Sequence, residues 1–292
     1  MNKIKTSHKY LQCGAKSLDL SKPAVMGVLN LTPDSFSDGG NVFSQSQVDP
    51  NKALTTVSAM IDDGADIIDL GGESTRPGAE PVSVQQELDR VIPVLNRLTA
   101  NFDSIFSIDT STPEVIKEAT NAGVHIINDV RALRREGALG AAIKTGLPVC
   151  LMHMQNQPKT MQEDPKYQDV LAEVLGYLSE RKQKCLDLGM QADQIILDPG
   201  FGFGKTLAHN LSLFNGLSTM ALKGHPILVG LSRKSMIGQI LDTDVNDRLI
   251  GSVTMALLAA QAIYGAGGSA ILRVHDVKET KQALNIWQAT KK

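Results

Sequence analysis

Eight short apolar runs in this chain each end at a polar cluster, and those clusters hold most of the side chains able to do chemistry. In order they are Asn30; Glu73, Ser74, Thr75 and Arg76; Asp109; Asn128 and Asp129; Met152 and His153; Asp198; Ser232, Arg233 and Lys234; and Arg273 with His275. No HxH or CxxC pair offers metal ligands at a working spacing, and no Ser/His/Asp set has a recognisable arrangement. A zinc site and a serine hydrolase are therefore not expected. The mixture suits a ligand with two characters. Asn30, Arg76, Arg273 and His275 match a multiply charged anion such as a pyrophosphate. Asp109, Asn128 and Asp198 match a heterocycle edge with adjacent N–H donors, because a carboxylate accepts two parallel hydrogen bonds. Lys234, in Gly230-Leu-Ser-Arg-Lys-Ser235 before a short helix, offers an anion site for the carboxylate of a second substrate.

Each residue also has a plainer reading. Asp109 can cap the helix that follows Ser111, Asp198 can make a turn before Pro199-Gly200, and Lys234 can be a surface lysine. Arg273 and His275 can be a surface pair, although strand alternation puts them on the same side and favours a joint site. His153, between Met152 and Met154, reads as a core or rim residue as readily as a functional one. Two segments imitate nucleotide motifs. Pro199-Gly-Phe-Gly-Phe-Gly-Lys-Thr206 has proline where a P-loop needs its first glycine, and it reads instead as a flexible active-site loop. Gly265-Ala-Gly-Gly-Ser-Ala270 precedes a strand instead of following one, so it fails the dinucleotide context.

The elements that must position these residues follow from periodicity. The apolar runs at 24–29, 66–70, 104–108, 124–127, 147–152, 194–197, 226–231 and 270–274 are short and mostly non-alternating, as strands covered on both faces are. Helical patterns fill 51–63, 84–98, 111–122, 138–145, 167–188, 207–220, 247–264 and 276–290. Boxes at Ser83/Gln86, Ser111/Glu114 and Asp276/Glu279 mark helix starts, and Pro93 falls inside a helix and should bend it. Eight strand–helix units predict an α/β fold with a parallel sheet, closed as a (β/α)₈ TIM barrel, with a β-hairpin at about 8–22 turning at Gly14. A doubly wound open sheet is the alternative, and it lacks the expected glycine fingerprint after the first strand. No linker divides the chain, so residues 1–292 read as one domain, with the barrel over about 24–290.

The totals agree with this. The chain has 292 residues, 42% hydrophobic and 21% charged, enough to bury a large core. A net charge of -2 gives no basic field for nucleic acid or an anionic membrane. Three separated cysteines, Cys13, Cys150 and Cys185, suit a reduced compartment. Residues 1–10 carry no apolar signal region and no run is long enough to span a membrane, so a cytoplasmic location is expected.

Over about residues 18–286 the chain resembles the dihydropteroate synthase family. The resemblance rests on Gly27-Val-Leu-Asn-Leu-Thr-Pro-Asp-Ser-Phe-Ser-Asp-Gly39, Gly71-Gly-Glu-Ser-Thr-Arg-Pro-Gly78, Ser107-Ile-Asp-Thr110, Ile127-Asn-Asp129, Leu197-Asp-Pro-Gly-Phe-Gly-Phe-Gly-Lys205, Gly230-Leu-Ser-Arg-Lys-Ser235 and Arg273-Val-His-Asp276. It implies a (β/α)₈ barrel that condenses 6-hydroxymethyl-7,8-dihydropterin diphosphate with 4-aminobenzoate, with Mg²⁺ as cofactor and sulfonamides as inhibitors. By position it implies a pterin pocket of Asp109, Asn128, Asp198, Lys234 and Met152. It implies a diphosphate site of Asn30, Arg76, Arg273 and His275, with Asn30 linked to the magnesium. Thr75, Pro77, Phe36, Phe203 and Ser232 fall around the implied aminobenzoate site.

The physical reading of that implication is simple. Aminobenzoate is a weak nucleophile, so diphosphate leaves first, and Asp109 offsets the positive charge that develops on the pterin. Asp109, Lys234, Asn30 and Arg273 are the residues expected to act in this step. The stretch from Thr32 to Gly40, with Phe36, is expected to close as a lid. Two rivals share parts of the pattern: a pterin-dependent corrinoid methyltransferase and a non-catalytic pterin-binding protein. The helical segment 247–264 is apolar around much of its surface, which together with the resemblance implies a homodimer.

Overall fold

The computed structural model describes residues 9–32, 43–44, 47–75, 78–156 and 160–291. Phe36, Arg76 and Pro77 lie outside the described residues, as does the expected lid beyond Thr32. Strands β1 (Tyr10–Cys13) and β2 (Lys16–Asp19) form the expected antiparallel hairpin, which turns at Gly14 with φ of 64°. The eight expected parallel strands follow. They are β3 (Ala24–Asn30), then, after the short pair β4 (Phe43–Ser44) and β5 (Gln47–Val48), β6 (Ile67–Gly71), β7 (Ile105–Asp109), β8 (Ile126–Asp129), β9 (Val149–Met152), β10 (Ile195–Asp198), β11 (Ile227–Val229) and β12 (Ala270–Val274). They pair in chain order and close, β12 against β3, into a barrel.

Both strand faces are apolar because both are covered. One face packs on the surrounding helices, where Val91, Leu95, Val115, Val174 and Ile263 are buried. The other fills the lumen with Met26, Ile67, Ile105, Ile126, Cys150, Ile196, Leu228 and Ile271, and there Leu11, Cys13, Leu18 and Leu20 of the hairpin close the floor. Alternation along each strand then dictates the contents of the upper lumen. Two residues beyond Ile67 comes Asp69, two beyond Ile126 comes Asn128, two beyond Ile196 comes Asp198 and two beyond Ile271 comes Arg273. The lumen is aliphatic below and polar above.

The helices begin and end for local reasons. Val84–Asn101 starts at a complete capping box of Ser83 and Gln86, as expected, and contains Pro93. The other two expected boxes do not form. Helix Pro113–Asn121 starts on Thr112 without a side-chain cap, and Pro113 at its first turn supplies the preset φ and needs no N–H partner. Ser111 is drawn away to donate to Asp129. Asp276 likewise makes no cap, because its carboxylate takes Arg233 at 2.5 and 3.1 Å. The expected segment 207–220 divides into Leu207–Asn215 and Leu217–Ala221 around Gly216, where any Cβ would sit 2.6 Å from Leu171. Among the described residues no helix is long and apolar enough to cross a membrane.

One buried charge braces the turn that leaves β8. Ala132 and Leu133 have φ of 52° and 56°, a left-handed conformation that costs a non-glycine residue energy. Arg181, buried in helix Val170–Asp187, donates to the carbonyls of Ala132 at 2.9 Å and Leu133 at 3.2 Å. Arg181→Ala should therefore destabilise the fold by about 2–4 kcal/mol, read as a lower denaturation midpoint in urea at unchanged slope.

Candidate active site

The upper lumen opens into a cavity of about 900 Å³ at the C-terminal ends of the strands, the usual place for chemistry in a (β/α)₈ barrel. Asn30, Thr75, Asp109, Phe203, Ser232, Lys234, Arg273 and His275 all line it, so sequence positions up to 245 apart meet at one mouth. Asn128, Asp198 and Met152 do not line it. They are almost wholly buried, at 4%, 6% and 3% exposure, and Asn128 is the strand neighbour of the lining residue Asp109. Met152 packs with Val130, Met154 and Met161, and Phe203 lies against that group.

The centre of the wall is ionic. Arg273 donates from Nε to Asp69 at 2.7 Å and from Nη2 to Asp109 at 3.0 Å. Asp69 also accepts from Asn128 Nδ2 at 3.1 Å, on the same oxygen. Burial, with Asp69, Asp129 and Glu73, pushes the Asp109 carboxyl above the usual carboxylate range, while the Arg273 guanidinium at 3.0 Å opposes this and favours the carboxylate. Arg273 is itself held protonated, because the attraction of Asp69 and Asp109 outweighs its burial. Asp198 accepts from Gly200 N at 2.6 Å on Oδ1, and burial raises its pKa against the pull of Lys234.

Lys234 reaches across from the start of helix Ser235–Leu241. Its Nζ donates to the carbonyl of Phe201 and lies 4.7 Å from the centre of the Phe203 ring. Burial pushes its pKa down to about 8, with Asp198 opposing. Ser232 Oγ accepts from His275 N at 3.2 Å and lies 3.0 Å from His275 Nδ1, so the two rim residues are one unit.

Loop 199–206 is firmly tied, against the expectation of a flexible segment. Lys205 turns inward, 4% exposed, and donates to the carbonyls of Gly200 at 2.8 Å and Phe203 at 3.0 Å. Its Nζ also lies 3.0 Å from His153 Nδ1. Burial drives Lys205 down to about 7, and burial with the Lys205 charge drives His153 down to about 3. His153 is therefore neutral, and its Nδ1 faces the Lys205 ammonium as an acceptor that helps to hold the loop. Asn210 adds a clasp, accepting from Gly202 N at 2.8 Å.

Several polar groups around the mouth escaped the sequence reading. Asp69 hid inside the apolar run 66–70; its parity with Ile67, which pairs with Ile105 on the strand that ends at Asp109, was the available signal. Glu73 was noted only as part of a cluster. It accepts two hydrogen bonds of 2.8 Å from Arg131, which ties the segment that carries Thr75 to the segment after β8. Glu87, buried, accepts from Thr110 at 2.5 Å and Thr112 at 2.6 Å, and so fixes the turn after Asp109. No spacing rule announces these long-range pairs.

Comparison with known proteins agrees with this geometry. The family described as "Pterin binding enzyme" matches residues 26–275. The dihydropteroate synthase of Escherichia coli (strain K12) is 54% identical over 274 residues, 94% of each chain. That of Haemophilus influenzae is 50% identical over 280 residues, covering 96% of this chain and 98% of the relative. Among solved structures, the Yersinia pestis dihydropteroate synthase with a sulfonamide drug has a TM-score of 0.91 at 50% identity, covering 97% and 99% of the two chains. The Xanthomonas albilineans dihydropteroate synthase in complex with 7,8-dihydropteroate has a TM-score of 0.83 at 42% identity, covering 97% and 98%.

The tied loop gives a direct test. Gly200 has φ of 67°, and a Cβ there would meet the His153 carbonyl oxygen at 1.9 Å. Gly200→Ala should cost more than about 3 kcal/mol in chemical denaturation, because the strain and the backbone clash cannot both be relieved.

Proposed function

The chain belongs to the family of pterin-binding enzymes and, within it, to the dihydropteroate synthases, and from that membership we propose how its residues share the work. The protein is a transferase that joins 6-hydroxymethyl-7,8-dihydropterin diphosphate to 4-aminobenzoate, forming 7,8-dihydropteroate and releasing diphosphate. The observation that carries the division of labour is the meeting of Asp109 with Lys234, Arg273 and His275 at one cavity, with Asn128 beside Asp109 on the next strand. A corrinoid methyltransferase would need Asp109 and Asn128 and not Arg273 and His275.

We assign the pterin to the deep side. Among the described residues no hydrogen bond reaches Asp198 Oδ2, which is left to accept from the ring's amino and N–H donors. Asn128, Asp109 and Lys234 complete the polar edge, and Met152 supplies apolar wall. We assign the diphosphate to Asn30, Arg273 and His275 at the rim, with Arg76. Aminobenzoate takes the outer position, against Thr75, Ser232 and Phe203, with Phe36 and Pro77. In the step itself the C–O bond to diphosphate breaks and the oxygen keeps the electron pair. The Asp109 carboxylate offsets the positive charge left on the pterin, and the amine nitrogen then forms the C–N bond and gives up a proton. Phe203, held by the tied loop, helps to keep water from the cation.

Mg²⁺ suits the rim. Among the described residues no group of three His, Cys, Asp or Glu side chains could hold a metal by itself. Mg²⁺ commonly takes one or two protein oxygens together with substrate phosphates and water, and the half-buried Asn30 amide at the end of β3 offers one such oxygen. When bound there, the ion neutralises charge on the leaving diphosphate.

The relative from Yersinia pestis carries a sulfonamide drug, and we extend sulfonamide binding to the aminobenzoate position of this chain. We also propose a homodimer formed through helix Leu249–Gly265, supported by Ile250 at 79% and Leu258 at 43% exposure on an otherwise apolar helix. Free, buried Cys13, Cys150 and Cys185 support a cytoplasmic setting.

Incubation with pterin diphosphate, labelled 4-aminobenzoate and Mg²⁺ should yield labelled dihydropteroate; pterin binding without product would overturn the proposal. A pH titration tests Lys234. Its folded pKa of about 8 lies below the ordinary 10.5, so the ammonium is present below about 8 and lost as pH rises through it. Affinity for pterin diphosphate should fall across that range. Lys234→Met should bind about 10- to 100-fold more weakly at neutral pH and lose that limb of the profile.

A further inference from the structure

Asp69 lies two residues below the mouth on β6, inside the lumen, with none of its surface exposed. A buried carboxylate is costly unless it is paired, and here the pairing converges on a single atom. Oδ2 accepts from both Arg273 Nε at 2.7 Å and Asn128 Nδ2 at 3.1 Å. Oδ1 is buried and accepts no hydrogen bond among the described residues. Asp69 thus acts on two site residues and lines no part of the cavity itself.

Both contacts have chemical consequences. A carboxylate can only accept, so the Asn128 amide must turn its NH₂ to Asp69 and its carbonyl elsewhere. That leaves Asn128 Oδ1 as an acceptor and fixes the polarity of one side of the pocket. The Arg273 guanidinium is likewise oriented. Nε goes to Asp69 and Nη2 to Asp109, and the Nη1 hydrogens remain for an anion. One oxygen therefore sets the acceptor of the ring site and the donor of the anion site together.

We propose that Asp69 is the positioning residue of the pterin diphosphate site, holding Asn128 as an acceptor and Arg273 as a donor through one shared carboxylate oxygen. This rests on the assignment of the pterin to the Asp109–Asn128–Asp198 side. It adds a residue that touches neither substrate.

The test is Asp69→Asn in the full-length protein with Mg²⁺ present. An asparagine keeps the volume, removes the charge and can turn its own NH₂ toward Asn128. Affinity for a free pterin and for inorganic diphosphate, each by calorimetry, should both fall by about 10- to 100-fold. The KM for aminobenzoate should stay unchanged, which a general loss of structure would not achieve. The pKa of Asp109 should also move down, because Asp69 is one of the charges holding it up. Wild-type affinity for both ligands in a folded Asp69→Asn protein would overturn the proposal.

If that variant does not fold, the unaltered protein still decides. The Nε–H of Arg273 should exchange slowly with solvent in nitrogen-15 NMR, and fast exchange would overturn the proposal. Asp109→Asn separates this inference from the assignment beneath it. If Asp109→Asn retains pterin affinity, the pterin assignment fails; if Asp109→Asn loses affinity and Asp69→Asn does not, only the role of Asp69 fails.

Discussion

The site depends on one guanidinium shared by two carboxylates in the upper lumen. Arg273 on β12, Asp69 on β6 and Asp109 on β7 come from strands distant in sequence, and only closure of the barrel brings them together. In so buried a place each charge needs the others: Asp69 without Arg273 would be a buried anion left with the Asn128 amide alone among the described residues. The ionic cluster and the barrel are thus mutually required. The aliphatic floor makes the charges strong, and closure of the sheet makes them tolerable.

Around that cluster the protein spends its polar groups on holding loops. Arg131 grips Glu73, Glu87 grips Thr110 and Thr112, and Lys205 gathers the carbonyls of its own loop. They stop the strand ends from wandering, and that is what makes a strand-end site accurate. The burial of Lys205 follows the same logic: a cation inside a loop is worth its desolvation when it replaces several separate hydrogen bonds.

Much of the fold was legible because barrel strands have a simple signature. They are short, apolar on both faces and separated by helical periods, and all eight strands and the hairpin lie close to where periodicity put them. Strand-end residues such as Asp109 and Asp198 were legible for the same reason, since a run that stops at a charge marks a mouth. Asp69 was not, because it interrupts a run instead of ending it. Ser111 and Asp276 looked like helix caps and proved to be partners for Asp129 and Arg233. A capping box is a local arrangement, and a charged tertiary partner can displace it. Lys205 sat in a segment dismissed as a failed nucleotide motif, where nothing local indicates that the side chain turns inward.

The hairpin at the bottom has a kinetic consequence. Leu11, Cys13, Leu18 and Leu20 close the lower end of the lumen, so among the described residues the site opens at the C-terminal ends of the strands. On the placement proposed above, with the pterin deep and aminobenzoate outside it, traffic would be first in, last out. The deep substrate must arrive before the outer one, and an outer ligand that arrives early bars the passage. Turnover is then an ordered queue, and the dihydropteroate formed in it must clear the same opening before the next pterin can enter.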